Sequence, residues 1–409
     1  MSNGVHSCGD SPWTIDFQPA HRTIPAELPA DVDIAIVGGG FTGLAAAAWL
    51  RRLAPEISVA LLEAETIGAG ASGRTGGMAL AEAAAGDLPG LGDVLAGYSE
   101  ILRTLQIDCD LDLSGAWEIG RAGGSADSPI AWTDSGNLRV VGEVAGGTVD
   151  PGKIVSGVAR VAQDHGALLF ENARVDEIAF ENPLRLTVRG REIRADRVLI
   201  ATNAMSLELS ALVESTAPKL TLALATEPLS EKQIEAIGLG ARKPFYTVDF
   251  PYLWGRMLRG NAAIFGCGLV EVDDWQGLYG LSVEKGKTKT LLDRLETRVR
   301  NLHPALREVA IACRWGGPIL LTENWQPIFE RHPLSERAIV LGGYCGHGVA
   351  LSTYLGAWAA EALLGRRDLP QWNSAPAKAT ARPRARWRAA KPFRLSLKSR
   401  LVDFATGLR

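Results

Sequence analysis

The sequence predicts an α/β fold, a parallel sheet flanked by helices, joined to a second portion that is β-rich α+β. Three observations predict it. A strand, a glycine turn, a helix and a second strand follow one another within residues 31–63. An apolar strand, another glycine turn and an apolar helix recur at residues 338–365. Between them, residues 206–312 hold short aromatic strands separated by turns. Parallel strands need a crossover of helical length, which the first unit supplies, and such crossovers are right-handed.

The elements follow in order. Residues 1–30 are polar and dotted with proline, as expected of an arm lying over the surface. In DVDIAIVGGGFTGLAAAAWLRRLAPEISVALLEAE, residues 34–37 are a fully apolar strand, 38–43 a turn, 44–53 an Ala-rich helix and 58–63 a second strand. Residues 68–77 (GAGASGRTGG) form a glycine-rich loop. Residues 81–105 are expected to be helical, although Gly86, Pro89, Gly90 and Gly92 interrupt them. Residues 111–149 alternate β-like runs with turns. Asp150-Pro151 opens a helix, Asp as N-cap and Pro at the first position, and Gly166 closes it. Strands are expected at 167–170, 173–180, 184–188 and 196–201, and a charged helix at 282–302.

The chain has 409 residues, 46% of them hydrophobic, and a formal net charge of −3. That composition is globular, and it excludes a disulfide miniprotein, a coiled coil, a collagen and a disordered chain. The charge is uneven. Residues 378–409 carry ten Lys or Arg against the single acid Asp403, which leaves −12 on the remainder. An acidic body is not a nucleic-acid surface. The cysteines, Cys8, Cys109, Cys267, Cys313 and Cys345, are odd in number and form no CxxC. With six scattered histidines, they predict neither a disulfide framework nor a metal site, and they fit a cytoplasmic location. The start of the chain lacks the basic and apolar stretches of a signal peptide. Residues 34–50 and 338–360 carry no acid, Lys or Arg, but they hold four and five glycines. Each therefore reads as strand, turn and helix rather than as a membrane span.

Gly38, Gly40 and Gly43 stand as GxGxxG between the first strand and helix. Gly38 permits the tight turn, Gly40 lets the backbone approach a pyrophosphate, and Gly43 lets helix and strand pack closely. The helix N-terminus, with Phe41 and Thr42 in the turn before it, then faces the anion. Glu63 ends the second strand, twenty residues after Gly43, where a carboxylate accepts from both hydroxyls of an adenosine ribose. Its charge disfavours a 2′-phosphate. Together these form a Rossmann-like dinucleotide site.

Here a resemblance enters. DIAIVGGGFTGLAAAAWL and VALLEAETIGAGASGRTGG resemble the start of FAD-dependent amine and amino-acid oxidases, the glycine oxidase, sarcosine oxidase and D-amino-acid oxidase group. GASGRTGG looks most like the gamma-glutamylputrescine oxidoreductase branch. The likeness returns at residues 147–166, 196–206 (DRVLIATNAMS), 314–318 (RWGGP) and 342–348 (GGYCGHG), and it spans about residues 30–366. It implies an FAD-binding domain made of residues 31–80, 148–205 and 313–366, and a substrate domain made of 81–147 and 206–312. Residues 1–30 remain as an arm and 371–409 as a basic tail.

The resemblance implies oxidation of the C–N bond of an amine or amino acid, polyamine-derived or N-substituted. Hydride passes to flavin N5, the imine hydrolyses, and O2 or another acceptor such as a quinone takes the electrons. A non-catalytic flavin-binding subunit is the alternative. FAD contacts are expected from the GxGxxG residues and Glu63, from Ala71, Ser72, Arg74, Gly76 and Gly77, and from the main chain of Val175. The last glycine turn adds Gly343, Cys345, Gly346, His347 and Gly348, whose amides would face the flavin edge that gains charge on reduction. His347 either adds charge there or braces the loop. Tyr252-Leu253-Trp254-Gly255-Arg256 stands where relatives show Tyr-x-Arg. Tyr252 matches, Trp254 replaces the Arg, and Arg256 is expected to reach a substrate carboxylate instead. Trp315 is expected to wall the amine. Cys313-Arg314-Trp315 has the spacing of the covalent flavin cysteine in the sarcosine oxidase branch. Non-covalent FAD is expected, with a link at Cys313 as the alternative.

In the tail, Leu397, Leu401, Phe404, Ala405 and Leu408 recur at helical spacing among Arg394, Lys398, Arg400 and Arg409. This amphipathic basic pattern is expected to dock on the acidic body, with weak peripheral membrane contact as the alternative.

Overall fold

The computed structural model describes residues 8–20 and 28–372. The expected tail helix lies outside the described residues. Two eight-stranded sheets organise the chain. The first runs in the order Ile328–His332, Ser335–Gly342, Arg191–Ile200, Asp31–Val37, Val59–Leu62 and Leu168–Phe170. Its last five strands are mutually parallel. Leu184–Val188 and Val175–Ala179 extend it as an antiparallel ribbon from Arg191–Ile200.

The unbroken apolar run of the first strand has a structural cause. Ile34 and Ile36 enter one core, shared with the helices Phe41–Leu53, Pro151–Asp164 and Gly348–Leu363. Ala35 and Val37 enter another, shared with the second sheet. A strand covered on both faces has no polar side to show. The Ala-rich helix Phe41–Leu53 lies close to Gly348–Leu363, where a Cβ on Gly356 would come 2.5 Å from Thr42 O.

The second sheet runs Ile311–Thr322, Thr216–Thr226, Ala263–Glu271, Trp254–Met257, Phe245–Thr247, Ala116–Gly120, Asn137–Val144 and Trp132–Thr133. Every pair is antiparallel except Phe245–Thr247 with Ala116–Gly120. The helix Gly286–Leu302 buries Leu291, Leu292, Leu295, Val299 and Leu302, an i, i+3, i+4 stripe.

Two expectations need correction. Residues 313–322, assigned above to the FAD-binding portion, pair with Thr216–Thr226 and so belong to the second sheet. The helix expected over 81–105 is confined to Val94–Thr104, capped by Asp93, whose side chain accepts from Ala96 N at 2.9 Å. The glycines before it, Gly86, Gly90 and Gly92, all sit at positive φ and hold turns instead. The uncharged stretches at 34–50 and 338–360 are strand, turn and helix. No helix among the described residues is long and apolar enough to cross a membrane.

Candidate active site

The site begins at the C-terminal end of the first strand. Gly38 donates its N–H to Leu62 O at 2.9 Å and adopts φ +111°, and a Cβ there would lie 2.6 Å from Ala201 O. A Cβ at Gly43 would lie 2.0 Å from Gly38 O, so helix and turn close only around glycine. At Gly40 a Cβ would meet nothing but the Ser72 side chain, which leaves this backbone face otherwise open. The helix Phe41–Leu53 has no side-chain N-cap. Phe41 N–H is taken by Ser72 Oγ at 2.9 Å.

Glu63 lies beside this turn. Its Oε2 accepts from Gly39 N at 2.7 Å and its Oε1 from Glu65 N at 2.9 Å. Burial raises its pKa, and those two amides partly offset the rise. Ala173 N–H donates to Glu63 O at 2.7 Å, which sets Arg174 and Val175 next to the carboxylate.

A second uncapped helix start faces the first. Gly348–Leu363 follows His347 with no side-chain cap. Thr42 Oγ1 and Tyr344 Oη, 2.7 Å apart, join the two turns. Within the second turn, Gly343 N–H donates to Asn203 Oδ1 at 3.0 Å and Cys345 N–H to Leu320 O at 3.3 Å. Cys345 Sγ accepts from Thr322 N at 3.3 Å, which pins the thiol. Burial lowers the His347 pKa, and its Nδ1 lies 3.4 Å from Cys345 O. Burial thus disfavours charge on His347, whose ring lies against the turn.

A cavity of about 480 Å³ runs between these elements. It brings together most of the expected residues: Gly38, Gly40, Phe41, Thr42, Glu63, Ala71, Ser72, Arg74, Gly76, Val175, Cys345, Gly346, His347, Gly348, Tyr252 and Trp315. Four others stay outside its lining. Gly43 and Gly77 act in packing, where a Cβ would strike Gly38 O and Val149 O respectively. The Gly343 amide is spent on Asn203.

The fourth is Arg256. It is 6% exposed, and its Nη1 donates to Gly77 O at 2.7 Å and to Val149 O at 2.6 Å. Burial lowers its pKa to about 10. The expected carboxylate partner is therefore an internal brace, its Nη1 spent on two main-chain carbonyls. Cys313 is also outside the lining. It packs with Trp13 and Trp254 on a small cluster of Ala223, Ala225, Ile264 and Trp315, and burial raises its pKa. The covalent alternative loses its geometric support there.

Residues that sequence reasoning missed complete the walls. Phe250, Trp254, Trp325 and Tyr344 add aromatic surface, and Arg174, Tyr279, Asn203 and Ser352 add polar groups. The DRVLIATNAMS block hinted at Asn203, which sits just past the strand Arg191–Ile200. Nothing in the sequence marked Ser352, whose buried Oγ has no partner. An orphaned hydroxyl, two uncapped helix starts and a carboxylate beside one of them form a donor and acceptor set that fits FAD.

The chain resembles known proteins along most of its length. It is 27% identical over 376 residues to the gamma-glutamylputrescine oxidoreductase of Escherichia coli (strain K12), covering 81% of this chain and 84% of that one. Among solved structures, glycine oxidase from Geobacillus kaustophilus superposes with TM-score 0.63 at 19% identity, covering 83% of this chain and 96% of that one. L-proline dehydrogenase from P. horikoshii superposes with TM-score 0.64 at 17% identity, covering 83% and 95%. A sequence model of the DAO family, described as FAD dependent oxidoreductase, matches residues 33–362. The chain belongs to the DAO family of FAD-dependent oxidoreductases.

Proposed function

We propose that this oxidoreductase acts on the C–N bond of a polyamine-derived amine, in preference to a free amino acid. One observation carries the preference. Among the described residues, the cavity end walled by Phe250, Tyr252, Trp254 and Trp315 offers no arginine with its whole fork free to clamp a carboxylate. Arg256 is spent on Gly77 O and Val149 O. Arg74 turns Nε to Ala69 O and Nη1 to Gly9 O and Gly316 O. Arg174 stands at the far end, beside Glu63. An aromatic box suits an amine and its alkyl chain, whereas a buried carboxylate without a partner is costly.

Bound FAD supplies the two-electron acceptor for hydride leaving the carbon next to nitrogen. The chain's own residues set the conditions for that transfer. Tyr252, whose pKa burial pushes up to about 12, stays a neutral hydroxyl and so serves as a hydrogen-bonding group rather than a base. Burial disfavours the imidazolium form of His347 as well. The aromatic walls lower the local polarity and so favour the uncharged amine, whose lone pair is the one that drives hydride release. Water hydrolyses the released imine.

An anaerobic panel read at the flavin band tests this reading. It includes polyamines and their N-acyl derivatives, N-methyl amino acids, and D- and L-amino acids. Bleaching by the polyamine group supports the proposal, and bleaching by amino acids alone contradicts it. No bleaching by any amine would favour the accessory-subunit alternative.

A further inference from the structure

The glycine-rich loop is held carbonyl by carbonyl. Gly73 O accepts from Ser11 Oγ at 2.6 Å, and Arg74 O from Trp315 Nε1 at 2.9 Å. Thr75 O accepts from Trp13 Nε1 at 2.7 Å. Gly77 O accepts from Arg256 Nη1 at 2.7 Å and from Val149 N at 2.9 Å. Two of these donors, Ser11 and Trp13, come from the arm that precedes the first strand. The arm is therefore not a passive wrap. Its Gly9 O also receives Arg74 Nη1 at 2.5 Å. The Trp13 and Trp254 rings both pack on the cluster containing Trp315, with the Arg256 guanidinium 5.6 Å from the centre of Trp13.

The consequence lies on the other side of the loop. The Thr75–Gly76 peptide is trans, so its N–H points opposite to its C=O. With Thr75 O turned to Trp13, Gly76 N–H points away from Trp13. Thr75 and Gly76 both line the cavity, and Trp13 does not. Gly76 N–H has no protein acceptor among the described residues. On the flank, the Trp254 ring lies where a Gly76 Cβ would be, 2.2 Å from its nearest carbon, so the peptide is confined there too.

We propose that Trp13 is a positioning residue: its indole N–H fixes the Thr75–Gly76 peptide so that Gly76 N–H is presented to the cavity as a hydrogen-bond donor to bound FAD. A donor held in place costs no reorganisation when the flavin gains electron density, and it favours the reduced form. The inference rests on FAD occupying the cavity and not on the substrate. A potential measured without substrate therefore separates its failure from that of the amine reading.

Trp13→Phe keeps the ring and removes the donor. The variant is expected to hold FAD and to melt close to the parent. Its visible flavin band should shift and its midpoint potential should become more negative. With the best amine, kcat should fall by up to about tenfold at unchanged KM, the worth of one neutral hydrogen bond. Trp13→His, whose Nε2–H occupies the matching position in a five-membered ring, should bring potential and band back toward the parent. A Trp13→Phe protein with the parent's potential and spectrum would overturn the proposal. So would equal shifts, or equal loss of FAD, in the Phe and His variants, because ring bulk rather than the donor would then be the operative feature.

Discussion

Thr42 Oγ1 and Tyr344 Oη share a 2.7 Å hydrogen bond across 302 residues of chain. It ties the glycine turn that opens the first helix to the turn that opens the last. Both helix starts face the cavity, and neither is capped by the side chain of its own N-cap residue. The bond sets the spacing of two positive helix ends on either side of one ligand site. Tyr344→Phe leaves the buried Thr42 hydroxyl unpaired, which costs about 1–3 kcal/mol. The expected result is a lower melting temperature together with weaker FAD retention on gel filtration. A variant that melts and retains FAD like the parent would show that the bond does not set the spacing.

Gly40→Val tests the first turn. The branched side chain would project past Ser72 Oγ, 2.8 Å from the Cβ position, and onto the open backbone face. The protein should remain folded by circular dichroism and lose its yellow colour. A normal flavin-to-protein absorbance ratio would remove the Gly40 face from the cofactor site.

Arg256 is expected to behave as a structural residue. Arg256→Ala strips a charged donor from Gly77 O and Val149 O, both inside the protein. Losing hydrogen bonds of this kind costs about 2–4 kcal/mol. Thermal melting should show the loss directly. A variant with the parent's melting temperature and a raised KM for a carboxylate-bearing substrate would restore the substrate role that the sequence pattern suggested.

Glu63 is expected to make cofactor affinity pH-dependent. Burial raises its pKa, and ribose hydroxyls need the carboxylate form as acceptor. Binding therefore favours the ionised group and releases a proton. FAD affinity should weaken as pH falls through that elevated pKa and hold steady above it. Flavin fluorescence titrations across pH measure this. Glu63→Gln should bind more weakly at neutral pH and lose the dependence, and an unchanged pH profile in that variant would place the titration elsewhere.

FAD should be held without a covalent bond. Cys313 does not line the cavity, and burial keeps its thiol from ionising. Acid precipitation should release all the flavin into the supernatant, and Cys313→Ala should bind as much FAD as the parent. A yellow pellet that turns white in the alanine variant would reverse this.

The dinucleotide half was legible because its requirements are local. A strand must run into Gly38, Gly43 must let the helix close, and Glu63 must end the next strand. Asp150-Pro151 opened its helix for the same reason, with cap and φ supplied by adjacent residues. The substrate half was less legible because its chemistry depends on distant partners. Arg256 looks like an anion binder by type, yet Gly77 and Val149, both far away in sequence, decide its role. Ser352 and Tyr279 carry no local pattern that distinguishes them from core and packing residues. Residues 81–93 misled because an apolar, Ala-rich run reads as helix, whereas three glycines at positive φ make it turns.

An aromatic cavity end whose described residues leave no whole arginine fork free is expected to select an amine over its carboxylated counterpart. The most direct test compares N-acylputrescine with N-acylornithine, which differ by one carboxylate, in anaerobic stopped flow at the flavin band. Flavin reduction is expected to be faster with N-acylputrescine. Equal or faster reduction by N-acylornithine would contradict it.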